Sequence, residues 1–450
     1  MTIKSKLAGS VALGLLAFGT MAVQAEDRTI TVWAGGTGET GIYRVDAIKM
    51  AAELLQREYA LSGKDIKINI ETRTWSGWDD FKQAVTLAAE SGSAPNIIVS
   101  GHEDIGPWAQ AGILRPIEDY VDFDAWPLNQ LYPNLIDVAS YEGQIWGLPQ
   151  DAEARAFYFS RNHMKAIGYS DADLDALPER VLSGEYTLYS MLDDVKKMQD
   201  EGVVEPGNGF APRVSNGPDY WQFYQSFGGE MVDPETGKLV LDKQALTGMY
   251  QFFVDAVDKG VVSPTYLGRD FDDWHRGVVS DRYGAWHGGT FHVKQWESQF
   301  GLEDFFGTMQ ATLIPSGGEG GRANSITHPL VYLLSSEGSE EDAELSAELV
   351  TIASEPRINV LHAVKSAHLA IGTAEADIPL YANDRWLGFA SKNLLPHANA
   401  IPNSADFGAY WTAMFKGLEA SWTHTTSVED AVKNVEAEAV SALGDKIVVR

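Results

Sequence analysis

Apolar residues in this chain recur in two rhythms, and the rhythms alternate. Residues 29–33 (TITVW) and 66–70 (IKINI) switch between polar and apolar positions and predict strands. Between them, Ile42, Val45, Ile48, Ala52, Leu55 and Tyr59 recur at three- and four-residue steps, one face of a helix. Helical spacing returns over residues 78–90, and the apolar run 96–100 predicts a short buried strand. EDIGPWAQAG (103–112) predicts a helix that Gly112 ends. This βαβαβ order specifies a mainly parallel sheet flanked by helices, and such sheets bind ligands at the carboxyl ends of their strands. A second α/β segment opens with the strand-like part of residues 145–160, followed by helical patterns over 189–200, 220–227 and 244–259. Strand patterns return at 308–313 and 330–335, separated by PSGGEGGR, and a last helical stretch runs from 428 to about 442. No internal repeat has a fixed period. At 450 residues the chain is expected to form more than one domain.

The first 25 residues follow neither rhythm. Lys4 and Lys6 precede a 12-residue apolar run, LAGSVALGLLAF, and Val23-Gln24-Ala25 places small residues at −3 and −1 of a cut before Glu26. That is the pattern of a cleaved secretory signal peptide, and the run is too short to span a bilayer. The absence of cysteine removes disulfides and the lipid anchor that a cysteine after the cut would carry, so the expectation is a freely diffusing periplasmic protein of a Gram-negative cell. Without its leader the chain carries 63 acidic against 32 basic residues, a formal charge of −31. Such a surface repels phosphate backbones and anionic membranes, which argues against nucleic acid as a partner, and no later stretch of about 18 apolar residues predicts stable membrane insertion. A monomer without cofactor is expected.

Several motifs invite chemistry and lack its other parts. GTGETG (36–41) matches a bare dinucleotide-loop pattern, but Glu39 would repel a pyrophosphate and no P-loop lysine follows. Asp171, Asp173 and Asp175 have calcium-loop spacing, yet Ala176 and Leu182 stand where that loop needs Gly and Glu. The ten histidines include no zinc-binding spacing, and no metal is expected. His287-Gly288-Gly289 could form an esterase's oxyanion hole, but no G-x-S-x-G elbow accompanies it; the nearest stretch, 168–172, ends in Ala. The two glycines read instead as a place where backbone approaches a ligand closely. The 13 Trp, 17 Tyr and 18 Phe exceed what the cores require. Trp33, Trp75, Trp78, Trp221, Trp286 and Trp411 adjoin polar residues, a mixture suited to the apolar faces and hydroxyl rims of sugars. Core packing is the competing role for each of them.

Ordered segments carry a family likeness. SGSAPNIIVSGHEDIGPWAQAGILRPIEDY, YEGQIWGLPQDAEARAFYFSRNHMKAIG, FGGEMVD, YGAWHGGTF, IPSGG and IPNSADFGAYWTAM together resemble the family 1 extracellular solute-binding proteins of ABC importers. The resemblance covers nearly the whole chain after residue 25. It implies a type II periplasmic-binding-protein fold, two α/β lobes with a ligand cleft between them. The first lobe would hold residues 26–150 and 309–357, the second 151–308 and 358–450. It further implies a receptor that closes on a sugar or oligosaccharide and delivers it to a membrane permease, not an enzyme. Glu153 matches a carboxylate that grips sugar hydroxyls, and Trp411 an aromatic that stacks on the sugar. Thr290 and Phe291 depart from the family's Gly-Pro-Trp, and Pro218 replaces a tyrosine beside Asp219 and Trp221. The site set is completed by Trp33, Trp75, His102, Glu103, Asp151, Arg155, Gly288 and Gly289. Arg155 and His102 suggest a ligand with an acidic group, such as an acidic sugar derivative or polyol phosphate; pairing of Arg155 to a carboxylate of the chain itself is the equal alternative. A secreted glycoside hydrolase is the rival of another class, and it would need a pair of carboxyls about 5–9.5 Å apart.

Overall fold

The computed structural model describes residues 26–36 and 43–450. The expected signal peptide (1–25) and the stretch 37–42, with most of the glycine-rich loop and Ile42, lie outside the described residues.

The mixed α/β architecture expected from the periodicity is present and is built on two main sheets. The first takes β1 (Glu26–Ala34), β2 (Ile66–Thr74), β3 (Ile97–Gly101), β4 (Leu114–Arg115) and β5 (Gly147–Pro149). The second takes β6 (Arg155–Ser160), β7 (Phe210–Ala211), β8 (Ala285–Gly289) and β9 (Met309–Thr312). The chain then returns to the first sheet with β10 (Leu330–Ser335). Its order is β2-β1-β3-β10-β4, with β5 also on β10. β1 runs parallel to β2 and to β3, whereas β10 enters antiparallel to β3.

Each face of this sheet buries the residues that the periodicity selects. Ile30, Val32, Ile97 and Val99 lie in one core with Val45, Ile48, Ala52 and Leu55 of α1 (Tyr43–Leu61). Ile98, Val331 and Leu333 share a second core with Phe81 and Val85 of α2 (Trp78–Glu90). Gly112, at φ +70°, follows the helix Ile105–Gln110 as expected.

The second sheet is mostly antiparallel. β6 is buried at all six positions and lies between β8 and β9, antiparallel to both. Its side chains alternate between two aromatic layers. Phe157 stacks on Phe210 at 5.6 Å, while Tyr158 on the opposite face stacks on Trp286 at 5.9 Å and meets Trp296 at 5.3 Å. Trp286, grouped by sequence with the sugar-stacking candidates, is therefore an interior residue, as are Trp274, Trp296 and Trp422. Much of the aromatic excess packs this half of the molecule. β9, which the sequence reading placed in the segment returning to the first lobe, pairs instead with β6, because Met309–Thr312 completes the edge of the second sheet. The helix Pro356–Ser366 packs on α1. Among the described residues, no helix is long and apolar enough to cross a membrane.

Candidate ligand-binding site

Between β5 and β6 the chain passes from one sheet to the other, and its backbone is tied down along the way. Gln150 N donates to Leu330 O at 2.8 Å, Ala152 and Leu369 exchange hydrogen bonds, and Thr290 N donates to Ala154 O at 2.9 Å. Arg155 N donates to Ser325 Oγ at 3.0 Å, and Ser325 Oγ donates back to Arg155 O at 2.8 Å. The sequence DAEARA alternates charged residues with alanines. Extended backbone therefore turns Asp151, Glu153 and Arg155 to one side and Ala152, Ala154 and Ala156 to the other, all of them buried.

These three charges enter two clusters. In the first, Arg155 Nη1 lies 2.6 Å from Glu153 Oε1, and Arg155 Nε lies 3.2 Å from Asp219 Oδ1. Asp219 begins α3 (Asp219–Ser226), where the helix dipole favours a carboxylate, and it also accepts from Arg213 Nη1 at 3.1 Å. Burial opposes its ionisation, but the two guanidiniums hold its carboxyl well below the usual range. Burial pushes the Glu153 carboxyl up, against the pull of Arg155 and His328. His328 continues the cluster toward the first sheet, with Nδ1 4.0 Å from Glu153 Oε1 and Nε2 2.8 Å from Glu103 Oε2. Lys82 of α2 closes on Glu103 and Asp104, each at 2.7 Å. Signs alternate from Lys82 through Glu103, His328, Glu153, Arg155 and Asp219 to Arg213, a run that begins on the first sheet's flanking helix and ends beside α3.

His328 is the titratable link of this run. Burial depresses its pKa, but Glu103 and then Glu153 more than reverse that, so the pKa is raised. Its stabilising contribution is complete below the ordinary histidine pKa and is lost as pH rises through the folded value. His328→Gln is accordingly expected to cost more stability at pH 5.5 than at pH 8.5. Urea denaturation at the two pH values tests this, and an equal cost at both would exclude the assigned pairing.

In the second cluster, Asp151 Oδ2 accepts from Arg44 Nη2 at 3.3 Å and lies 3.2 and 3.4 Å from the Nε2 atoms of His362 and His368. Asp151 Oδ1 accepts from Leu330 N at 2.9 Å. Asp151, His362 and His368 could surround a metal ion, as could His102, Glu103 and His328. The Arg44 guanidinium already answers Asp151, and Lys82 answers Glu103. The His102 ring nitrogens face the carbonyls of Pro329 and Ile401 at 3.2 and 2.9 Å. Neither group therefore has the free donor set that a cation needs.

The remaining expected residues fall in different places. Trp411 is half-buried, edge-on to Trp221 at 5.4 Å, and its indole N–H donates to Asn216 in the loop between Arg213 and Asp219. Trp221 is buried beneath it, stacked on Tyr410 at 5.1 Å. Trp33 and Trp75 lie 5.1 Å apart in the α2-side cluster, with Arg73 over both rings. Thr290 is buried, and its carbonyl accepts from Trp386 Nε1 at 3.0 Å. A Cβ at Gly288 would come within 2.5 Å of His292 Nδ1, and one at Gly289 within 2.2 Å of the Phe291 ring. What these glycines admit is the chain's own rings. The structure thus brings Glu103, Glu153, Arg155 and Asp219 into one network, sets Asp151 and His102 at its border and places Trp411 near its rim. Lys82, Arg213, His328, Arg44, His362 and His368 are the partners the sequence reading missed. They come from distant segments with no local motif to mark them.

A maltotriose-binding protein of Pyrococcus abyssi (strain GE5 / Orsay) is 25% identical over 203 residues, which are 45% of this chain and 39% of that protein. The chain thus spans about two-fifths of the length of that curated relative. Maltose-bound MalE3 of T. maritima shares the fold with a TM-score of 0.73 at 19% identity, covering 92% of this chain and 100% of that one. An ABC transporter solute-binding protein of Thermotoga lettingae TMO, bound with α-D-tagatose, gives 0.71 at 17% identity over 93% and 100% of the two chains. These likenesses show the fold, the two-lobed type II form that the sequence resemblance implied. The family model of bacterial extracellular solute-binding proteins matches residues 49–335, more than half of the sequence, and the chain belongs to that family.

Proposed function

We propose that this solute-binding protein is the carbohydrate receptor of an ABC importer, exported to the periplasm, where it encloses a sugar or oligosaccharide and carries it to a membrane permease. The observation that carries this reading is the buried Glu153–Arg155–Asp219 set where the chain passes between the sheets, with half-buried Trp411 near its rim. Carboxylates and a guanidinium bind hydroxyls in pairs, and an indole face takes the apolar side of a sugar ring. The ligands of these relatives, maltotriose, maltose and tagatose, support the same class.

The two sheets with their helices are the two lobes in this reading. Residues 26–150 and 309–357 form the first and 151–308 and 358–450 the second, with the edge strand at 309–312 assigned by its pairing to the second and the helix Pro356–Ser366 by its packing on α1 to the first. Ligand bridges the lobes, favours the closed form, and the closed form engages the permease.

Calorimetric titration with maltotriose, maltose and tagatose tests the reading. Saturable binding without release of smaller sugars is expected, and hydrolysis of maltotriose would overturn the receptor assignment. Ligand at 100 times its Kd should add about 2.7 kcal/mol to stability, seen as a raised Tm. Trp411→Ala and Glu153→Ala should each weaken binding of the best probe about tenfold or more, the equivalent of ~1.4 kcal/mol. Unchanged affinity in both would sink the site assignment.

A further inference from the structure

Gln222 and His287 are both buried, and both have unmet polar atoms. Neither amide atom of Gln222 has a hydrogen-bond partner among the described residues, and the ring nitrogens of His287 bond to no side chain there, with the Asp219 backbone beside them. Gln222 stands three residues beyond Asp219 on α3, and its backbone carbonyl accepts from Asn324 Nδ2 at 3.2 Å. The adjacent Ser325 holds the backbone of Arg155. His287, on β8, has Nε2 4.0 Å from Asp219 Oδ1 and its ring edge-on to Phe223 at 5.1 Å. His287 therefore lies against Asp219 from the strand side, and Gln222, three residues on from Asp219, shares its face of α3.

A buried donor or acceptor without a partner costs about 1–3 kcal/mol, and methionine or phenylalanine of similar shape would avoid that cost. Polar residues retained here are explained by a polar group that they meet when ligand is bound. The charges nearby say what kind of group. Arg155 has Glu153 and Asp219 on either side, and Asp219 has Arg155 and Arg213. The formal charges on this wall are thus answered within the chain. Gln222 offers a donor and an acceptor, and a neutral imidazole offers one of each. A hydroxyl both donates and accepts and so matches this set; a carboxylate or phosphate only accepts.

We propose that Gln222 and His287 are specificity-determining residues that read the hydroxyl groups of a neutral sugar. This rests on the receptor reading above and deepens it by excluding acidic ligands. The test uses the full exported chain, with maltotriose, maltose and tagatose as neutral probes and galacturonate and sorbitol 6-phosphate as acidic ones. Wild type is expected to bind a neutral probe. Binding of none of the five would overturn the receptor reading together with this inference. Tighter binding of an acidic probe would overturn only the neutral-ligand assignment. Gln222→Met and His287→Phe should each weaken the best neutral probe about tenfold or more, while the ligand-free Tm stays level or rises. Affinity within about twofold of wild type in both variants would remove the two residues from the site and leave the receptor reading intact. If His287→Phe does not fold, Gln222→Met decides alone.

Discussion

Replacing Arg155 by methionine is expected to destabilise the protein by about 3–5 kcal/mol, as for other buried ion pairs that lose one partner. The side chains of Arg155, Glu153 and Asp219 are exposed by only 6%, 5% and 3%, so water cannot take over the role of the guanidinium. Methionine fills similar space and leaves two carboxylates facing each other in a poorly solvated pocket. Part of the loss should be recovered by neutralising them, so Arg155→Met combined with Glu153→Gln and Asp219→Asn should be more stable than Arg155→Met alone. Urea denaturation of the two variants and wild type measures both effects. A loss below about 1 kcal/mol, the range of an exposed pair, would show that the cluster is open to water.

Acid should destabilise the protein well above the range in which carboxylates titrate. Burial lowers the pKa values of His102, His275 and His287 to about 4, and it lowers those of His292, His362 and His368 as well. These imidazoles are neutral in the folded protein at pH 7, whereas in the unfolded chain they take up protons near pH 6.5. Their contribution is therefore complete above pH 6.5 and is lost as pH falls toward 4. For the first three alone, the unfolded chain binds two to three more protons near pH 5, a slope on the order of 3 kcal/mol per pH unit. His328 acts in the opposite sense but is a single group. Denaturant midpoints at pH 7.5, 6.5, 5.5 and 4.5 should fall steeply below 6.5, and His287→Phe should flatten the curve. A midpoint that stays constant down to pH 4.5 would mean that these rings are already charged, or in contact with water, in the folded state.

Both predictions rest on side chains whose partners lie far away in sequence, and this limits what could be read in advance. Periodicity located the main strands of the first sheet and helices such as Trp78–Glu90 and Val428–Leu443, because each buries one face and its apolar spacing records that face locally. The run at 155–160 was legible as a strand for the same reason, since burial on both faces leaves its four middle positions, Ala156 to Phe159, apolar. The alternation in DAEARA likewise records an extended segment with its three charges on one side. The tertiary structure alone decided what those charges meet: Asp219, itself held by Arg213, for Arg155, His328 for Glu153, Arg44 and two histidines for Asp151. It also decided that Trp286 packs the core and that Gly288 and Gly289 accommodate His292 and Phe291. The physical reason is one of range. A backbone element is selected by neighbours within a turn or two, whereas a buried charge is stabilised by whichever opposite charge the fold brings within about 4 Å.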